Sequence, residues 1–524
     1  MSTSPRSESR PVGIAAAVLA AAVAAFFGAG CAVGPNFRRP EPPSVATYGP
    51  GADPTVTATA DGQSQRLDRG AQVVGDWWTL FGSDDLDALM KEAVAQNQTL
   101  QGAMASLHSS QANLRAGYGI FFPQVDADAS ATRQKLTLVR FGQSAGSSTI
   151  FNLFSLSGTI TYALDLFGGQ RRAVESLQAQ ADAQAYTLAA TYLTLTSNVV
   201  SAVIARAAYA EQAAATEDLI RDQREQVEIT EAQAEAGIVS YASALSLRSQ
   251  IAAVEATLPP LQQRVSQADH LLATLAGRLP AEFAAPPVAF SGLKLPDSVP
   301  VSLPSELVHQ RPDILSAEAQ LHQASAEVGV ATAALFPSIT LNGSYGGNNT
   351  SLNTLFSPNG IFWSIGAGIA APIFHGGTLV QKRQAAIDAY DQSLAAYRQS
   401  VLAAFSQVAD VLQALDHDAQ TLDAEARSLA SADESLRLVR ASYDAGVANY
   451  LQVLIAFEQY HQARIGEIQA RAQRLQDTVA LFAGLGGGWW DSGRSLLATE
   501  GAIRSVPSVG QPPTQAAPEG GAPQ

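Results

Sequence analysis

Two stretches of this chain, Gln170 to Ala236 and Thr378 to Ala445, contain neither glycine nor proline. At about 1.5 Å per residue, an uninterrupted helix of about 67 residues spans roughly 100 Å, more than an ordinary globular domain can hold. Each stretch ends at a short glycine turn, Ala236-Gly237-Ile238-Val239-Ser240-Tyr241 and Ala445-Gly446-Val447-Ala448-Asn449-Tyr450. Shorter helical segments are expected over Asp84–Ala116, Ser240–Ala276 (interrupted by Pro259-Pro260), Ser305–Ala334 and Asn449–Ala483. Taken in pairs they match the long helices. The expected architecture is therefore two full-length helices beside two stacked pairs of half-length ones, with both glycine tips at one end.

Between the helices the apolar period changes to two. Val125, Ala127, Ala129 and Ala131 alternate with polar residues, and a Gly/Ser loop near Gly142–Ser148 follows. Ile150, Phe154, Leu156, Ile160, Tyr162 and Leu164 then share one face, opposite Ser155, Ser157, Thr159, Thr161 and Asp165. Ile339, Leu341, Gly343 and Tyr345, then Ile361, Trp363, Ile365, Ala367 and Ile369, repeat the pattern. Four strands cannot close a barrel, since small barrels need about eight, so the strands point to an oligomer. Phe151, Phe362 and Trp363 are expected near a membrane interface.

The second set of strands belongs to an internal duplication. Asn97–Pro123 and Arg311–Pro337 align without gaps, pairing Leu100 with Ile314, His108 with His322 and Phe122 with Phe336; His375-Gly376-Gly377 echoes Gly168-Gly169. The fold class is mainly α with a small β part, a duplicated helix-strand-strand-long helix-helix unit. The expected divisions are residues 1–30, a leader; 31–76, an extended tether; 77–278, the first repeat; 279–304, a Pro-rich linker; 305–488, the second repeat; and 489–524, a disordered tail. Trp77-Trp78 is expected to anchor the tether.

The single cysteine, Cys31, follows Arg6, Arg10, an apolar run from Val12 to Phe27 and small residues Gly28-Ala29-Gly30. This reads as a secretory signal whose cleavage exposes a cysteine, the site expected to carry lipid. No other run is long and apolar enough to suggest a membrane-spanning helix. A net charge of −15 without a basic patch argues against nucleic acid. The seven histidines show no metal-ligand spacing, no phosphate-cradling loop is present, and Asp416-His417-Asp418 reads as a solvated helix face. No catalytic residue, metal site or cofactor is expected, so the chain is not read as an enzyme.

The chain resembles the TolC-like outer membrane efflux family, in its lipoprotein branch with OprM-like and NodT-like members. The resemblance rests on Cys31-Ala32-Val33-Gly34-Pro35-Asn36 with Arg39-Pro40; Trp77-Trp78 and Phe81 with Leu86, Leu89, Ala93, Asn97 and Leu100; Arg311-Pro312-Asp313-Ile314; Phe336-Pro337; Gly446-Val447-Ala448-Asn449-Tyr450-Leu451; and the Gly484–Trp489 ending. It implies a homotrimer with a twelve-stranded barrel in the bacterial outer membrane, lipid-anchored and extending into the periplasm as a helical tube. It also implies a periplasmic adaptor (membrane fusion) protein and an inner-membrane RND-type pump as partners. The implied function is a passive exit duct for drugs or other small toxic compounds. Two alternatives stand beside it: the exit duct of a type I protein secretion system, and a non-conducting structural lipoprotein of the periplasm.

In the resembled family the second tip commonly reads Gly-Val-x-x-Tyr-Leu-x-Leu-Leu-Asp and carries an acidic ring. Here Ile455 occupies the Asp position. The expected gate is therefore apolar, formed by Leu451 and Ile455 one helical turn apart, beside Tyr450. Adaptor docking is expected at Gly237, Ile238, Val239 and Ser240 and at Gly446, Val447, Ala448 and Asn449.

Overall fold

The computed structural model describes residues 32–51, 53–60, 62–137 and 148–490. The expected leader, Cys31, most of the Gly/Ser loop and the tail after Trp490 lie outside them. The elements are β1 (Arg66–Arg69), α1 (Asp84–Gln96), α2 (Gln98–Gly117), β2 (Gln124–Thr137), β3 (Ser148–Leu164), α3 (Gly169–Glu235), α4 (Tyr241–Glu255), α5 (Leu258–Leu275), β4 (Ser298–Val301), α6 (Pro304–Gln310), α7 (Pro312–Ala333), β5 (Ser338–Asn349), β6 (Ile361–Ala370), α8 (Thr378–Asp444) and α9 (Tyr450–Gly484). The two long helices, α3 and α8, are each 67 residues without a break. One 18-residue stretch of α3 reaches a mean hydropathy of 1.5, enough by composition to cross a membrane, which the expectation of no such run missed. More than half of that stretch is buried within the chain. Its alanines read as helix-packing contacts.

The described residues form two compact units, each drawing on both repeats. The first comprises residues 32–41, Ala105–Gln184 and Ser316–Gln399. Its sheet has the order β2-β3-β5-β6, antiparallel throughout. The register lines up Val125, Ile160, Gly343 and Ile365 in one rung, and Ala127, Gly158, Tyr345 and Trp363 in the next. The alternate rungs hold Asp126, Thr159, Ser344 and Ser364, then Gln124, Thr161, Asn342 and Gly366. Side chains alternate along a strand, so one face is apolar and the other polar. The apolar face is the exposed one: Ile365 is 84% exposed, Ile369 72% and Trp363 71%. The period of two also corrects one expectation. Phe151 and Phe362 fall on the polar face, and Tyr345 is the aromatic partner of Trp363.

The segment after Cys31 is pinned in this unit. The Val33 N–H donates to the Phe167 carbonyl (3.0 Å), Arg172 to Asn36 Oδ1 (2.6 Å), and Arg39 pairs with Glu318 (2.6 Å). Phe37 stacks on His322.

The second unit comprises residues 42–104, Ala185–Leu315 and 400–490. Ser83 starts α1 by accepting from the Leu86 N–H (3.2 Å), and Asp84, Asp85 and Asp87 complement the dipole of its first turn. The helix expected through Ala116 breaks at Asn97, whose Oδ1 caps Leu100 N–H (3.0 Å) and whose Nδ2 donates to the Leu275 carbonyl. Arg311, its counterpart in the duplication, makes the same break: the two backbones are at φ −62, ψ 122 and φ −74, ψ 123. The interruption near Pro259-Pro260 falls just upstream, at Ala256-Thr257, with the prolines in the first turn of α5, where a missing N–H costs nothing. The tether and the linker meet, because β1 pairs in parallel with β4. Trp77 is fully buried and stacks on Phe482 at 5.1 Å, holding the end of the tether.

Candidate functional site

Both tips use one backbone device. At the first, Ile238 N–H donates to the Gln233 carbonyl (2.8 Å) and Gly237 N–H to that of Ala234 (3.0 Å); at the second, Val447 N–H donates to Ser442 (2.9 Å) and Gly446 N–H to Tyr443 (2.9 Å). This paired closure needs a left-handed residue, and Gly237 and Gly446 sit at φ +75° and +73°. Three residues later the chain is capped into the next helix. Ser240 Oγ accepts from Ser243 N–H (3.3 Å). Asn449 goes further: its Oδ1 accepts from Gln452 N–H, while Gln452 Oε1 accepts from Asn449 N–H, both at 3.1 Å. Ile238 (72%) and Val447 (84%) project at equivalent, exposed places.

Behind the second tip, Leu219 of α3, Leu436 of α8 and Val453, Ala456 and Phe457 of α9 form a buried cluster, joined by Tyr443 and Tyr450. The two tyrosine rings meet edge to face at 5.7 Å. Burial pushes the Tyr450 hydroxyl up to about 12, so it stays neutral. Arg440 lies over the Phe457 ring at 4.1 Å and pairs with Asp222 at 3.3 Å. Sequence reasoning missed this link, although Leu436, Arg440 and Tyr443 share one face of α8 by spacing. The structure brings Leu451 and Ile455 together on the opposite, exposed side of α9 and places Tyr450 in the cluster.

The first tip is held differently. Arg248 pairs with Glu231, and Arg224 with Glu255 (2.6 Å), across α3 and α4. Exposed pairs of this kind contribute little each.

Further along α8 and α9, two acids, Asp418 and Asp477, come together beside Arg474. Burial and then this neighbouring acid raise Asp418 to about 7, against the opposing pull of Arg474. Arg474 is 1% exposed and donates to Thr57 Oγ1 at 3.3 Å, while Asp416 accepts from the Ala58 N–H at 2.9 Å. The Asp416-His417-Asp418 run is thus not a uniformly solvated face. Successive residues point in different directions around a helix: Asp416 meets the tether at Ala58, and Asp418 faces Asp477 and Arg474 of α9. Among the described residues no group of histidine, cysteine and acidic side chains could hold a metal ion.

Residues 89–278 and 303–487 match the family model described as outer membrane efflux protein. The chain is 32% identical over 431 residues, 81% of its length, to the pyoverdine export outer membrane protein OpmQ of Pseudomonas aeruginosa, covering 90% of that protein. It is 30% identical to outer membrane protein OprJ of the same species, with 92% of this chain and 98% of OprJ aligned. The solved outer-membrane channel OprN superposes with a TM-score of 0.77 at 28% identity, spanning 88% of this chain and all of the other. The chain belongs to the outer membrane efflux protein family.

Proposed function

We propose that three copies of this chain close a twelve-stranded outer-membrane barrel continued by a periplasmic helical barrel. The assembly is the exit duct for drugs or other small toxic compounds, delivered by an inner-membrane RND-type pump through a periplasmic adaptor. The observation that carries this reading is the sheet. Its apolar face is exposed, and neither β2 nor β6 has a second partner strand among the described residues. Lipid tolerates no open edge, because unpaired N–H and C=O groups have no water there. Further copies supply the closure. The descriptions of OpmQ and OprJ, one an export protein and both outer membrane proteins, support the same reading.

Leu451 and Ile455 form the gate as an apolar constriction that shuts by close packing and dewetting. Their exposure within one copy (55% and 48%) supports an inward-facing place in the trimer. Tyr450 backs them from the cluster. The tips at Gly237–Ser240 and Gly446–Asn449 receive the adaptor, with Ile238 and Val447 as apolar contacts. Lipid on Cys31 fits the pinning of Val33 to Phe167 at the foot of β3, which would set acyl chains beside the apolar face.

The test is conductance of reconstituted trimers in planar bilayers. Leu451→Asp and Ile455→Asp are each expected to raise it severalfold at unchanged trimer yield. Unchanged conductance in both would overturn the gate; absence of any channel, open variants included, would overturn the duct.

A further inference from the structure

We infer that the loop joining β5 to β6, residues 350–360, is a lipid-inserted anchor that folds back over the apolar face of the sheet and presents Leu352 and Phe356 to the outer leaflet. The inference rests on the barrel reading above, which makes that face the lipid-facing one.

The fold-back is recorded at Gly347. This residue shares a rung with Leu156 and Ile361, so its missing side chain would point to the apolar face. A Cβ placed there would lie 2.4 Å from the Leu355 carbonyl oxygen. The loop therefore sits on the outer face, and glycine is what admits it. Leu355 is turned inward, 7% exposed, and the rung beneath is partly covered: Leu156 and Ile361 are 37% and 39% exposed, against 84% for Ile365.

The loop is held in this shape by its own hydrogen bonds. Asn348 N–H donates to the Gly360 carbonyl (2.8 Å), Gly360 N–H to that of Ser357 (2.8 Å), and Asn349 Nδ2 to that of Thr354 (3.0 Å). Backbone groups satisfied in this way can enter the headgroup region cheaply. Leu352 and Phe356 remain outward, 63% and 61% exposed, at the end of the sheet remote from the helices. Composition agrees: from Ser338 to Phe374 there is no charged residue and no histidine. A loop that only lined a watery mouth would gain nothing from that neutrality. One at the lipid boundary avoids the cost of burying charge, and Phe356 extends the aromatic level of Tyr345 and Trp363 outward.

The experiment places a nitroxide at Phe356→Cys and, separately, at Ile365→Cys in reconstituted protein; the native chain, with Cys31 alone, controls for labelling. Accessibility to oxygen and to a water-soluble nickel complex is then compared. The expected result is lipid exposure at both sites, oxygen-accessible and nickel-shielded, with position 356 the shallower. Nickel access at 356 with lipid exposure at 365 overturns the anchor and leaves the barrel standing. Shielding of 356 from both reagents means that protein, such as a second copy, covers the loop, and also overturns it. Nickel access at both sites overturns the barrel reading itself.

Discussion

At the first tip Gly237 ends a 67-residue helix and Ser240 caps the next; at the second, Gly446 and Asn449 occupy the same places. Two buried positions correspond as well, Ala244 with Val453 and Leu247 with Ala456, whereas buried Leu454 matches exposed Leu245. The outward positions do not: Leu451 and Ile455 of the second tip stand where the first has Ala242 and Ser246. The helices behind them also differ. α4 stops after 15 residues, whereas α9 runs for 35. At these two places a duplicated backbone thus carries small residues at one tip and large apolar ones at the other, while Tyr241 and Leu245 are the exposed large residues of α4. The proposed gate rests on that difference, since only the second tip carries a large apolar pair at these two places.

The largest expected effect comes from erasing it. The double variant Leu451→Ala/Ile455→Ser gives the second tip the first tip's outward face, and single-channel conductance should rise severalfold. The reverse change, Ala242→Leu/Ser246→Ile, should leave conductance near wild type. Equal effects from the two swaps would break the comparison.

The hairpin stems differ in the same sense. In the first, Arg206 of α3 pairs with Asp269 of α5 at 2.5 Å; in the second, two carboxyls, Asp418 and Asp477, face each other. Asp418 titrates above the ordinary carboxylate value, so between about pH 4 and 7 the folded chain holds a proton that the unfolded chain has released. Its contribution to stability is full below the unfolded value and is lost as pH rises through the folded one. Wild-type protein should therefore melt at progressively lower temperature from pH 5 to pH 8, relative to Asp418→Asn. Parallel melting curves for the two proteins across that range would remove the acid pair from the comparison.

A third test addresses the backbone itself. No atom lies within 4 Å of a Cβ built on Gly237 or Gly446, so Gly237→Val and Gly446→Val act through conformation alone. Each should cost about 1–2 kcal/mol, the usual penalty for a left-handed L-residue, read as faster hydrogen exchange at its own tip. Clearly unequal costs would show that the two closures are not the same device.

These tips were legible in the sequence because glycine is the only punctuation in two long breaker-free runs, and the helix bounds agree to within a residue. The strands were legible through alternation. The break at Asn97 was not, since one asparagine in an amphipathic run is unremarkable; the signal lay in its alignment with Arg311-Pro312, where proline makes the break plain. The β1–β4 pairing joins four residues to four across more than two hundred, with nothing local to announce it. The acid pair was hidden because Asp418 meets Asp477 only after the hairpin forms. Leu451 as a gate residue came from the resemblance, and the cluster around Tyr450 came from the structure alone.

The smallest expected effect concerns the caps. Ser240 supplies one hydrogen bond of 3.3 Å, whereas Asn449 and Gln452 exchange two of 3.1 Å. Losing an N-cap side chain typically costs about 1 kcal/mol. Asn449→Ala should reach that figure, and Ser240→Ala should fall below it. Gln452→Ala isolates the reciprocal bond, because it leaves the Asn449 side chain in place. Exchange rates at the first-turn amides of α4 and α9 read the difference directly. If Asn449→Ala opens α9 without changing conductance, the cap orders the tip and the apolar pair alone closes it. If conductance rises with the fraying, Leu451 and Ile455 hold the gate only while Asn449 fixes the helix start beneath them.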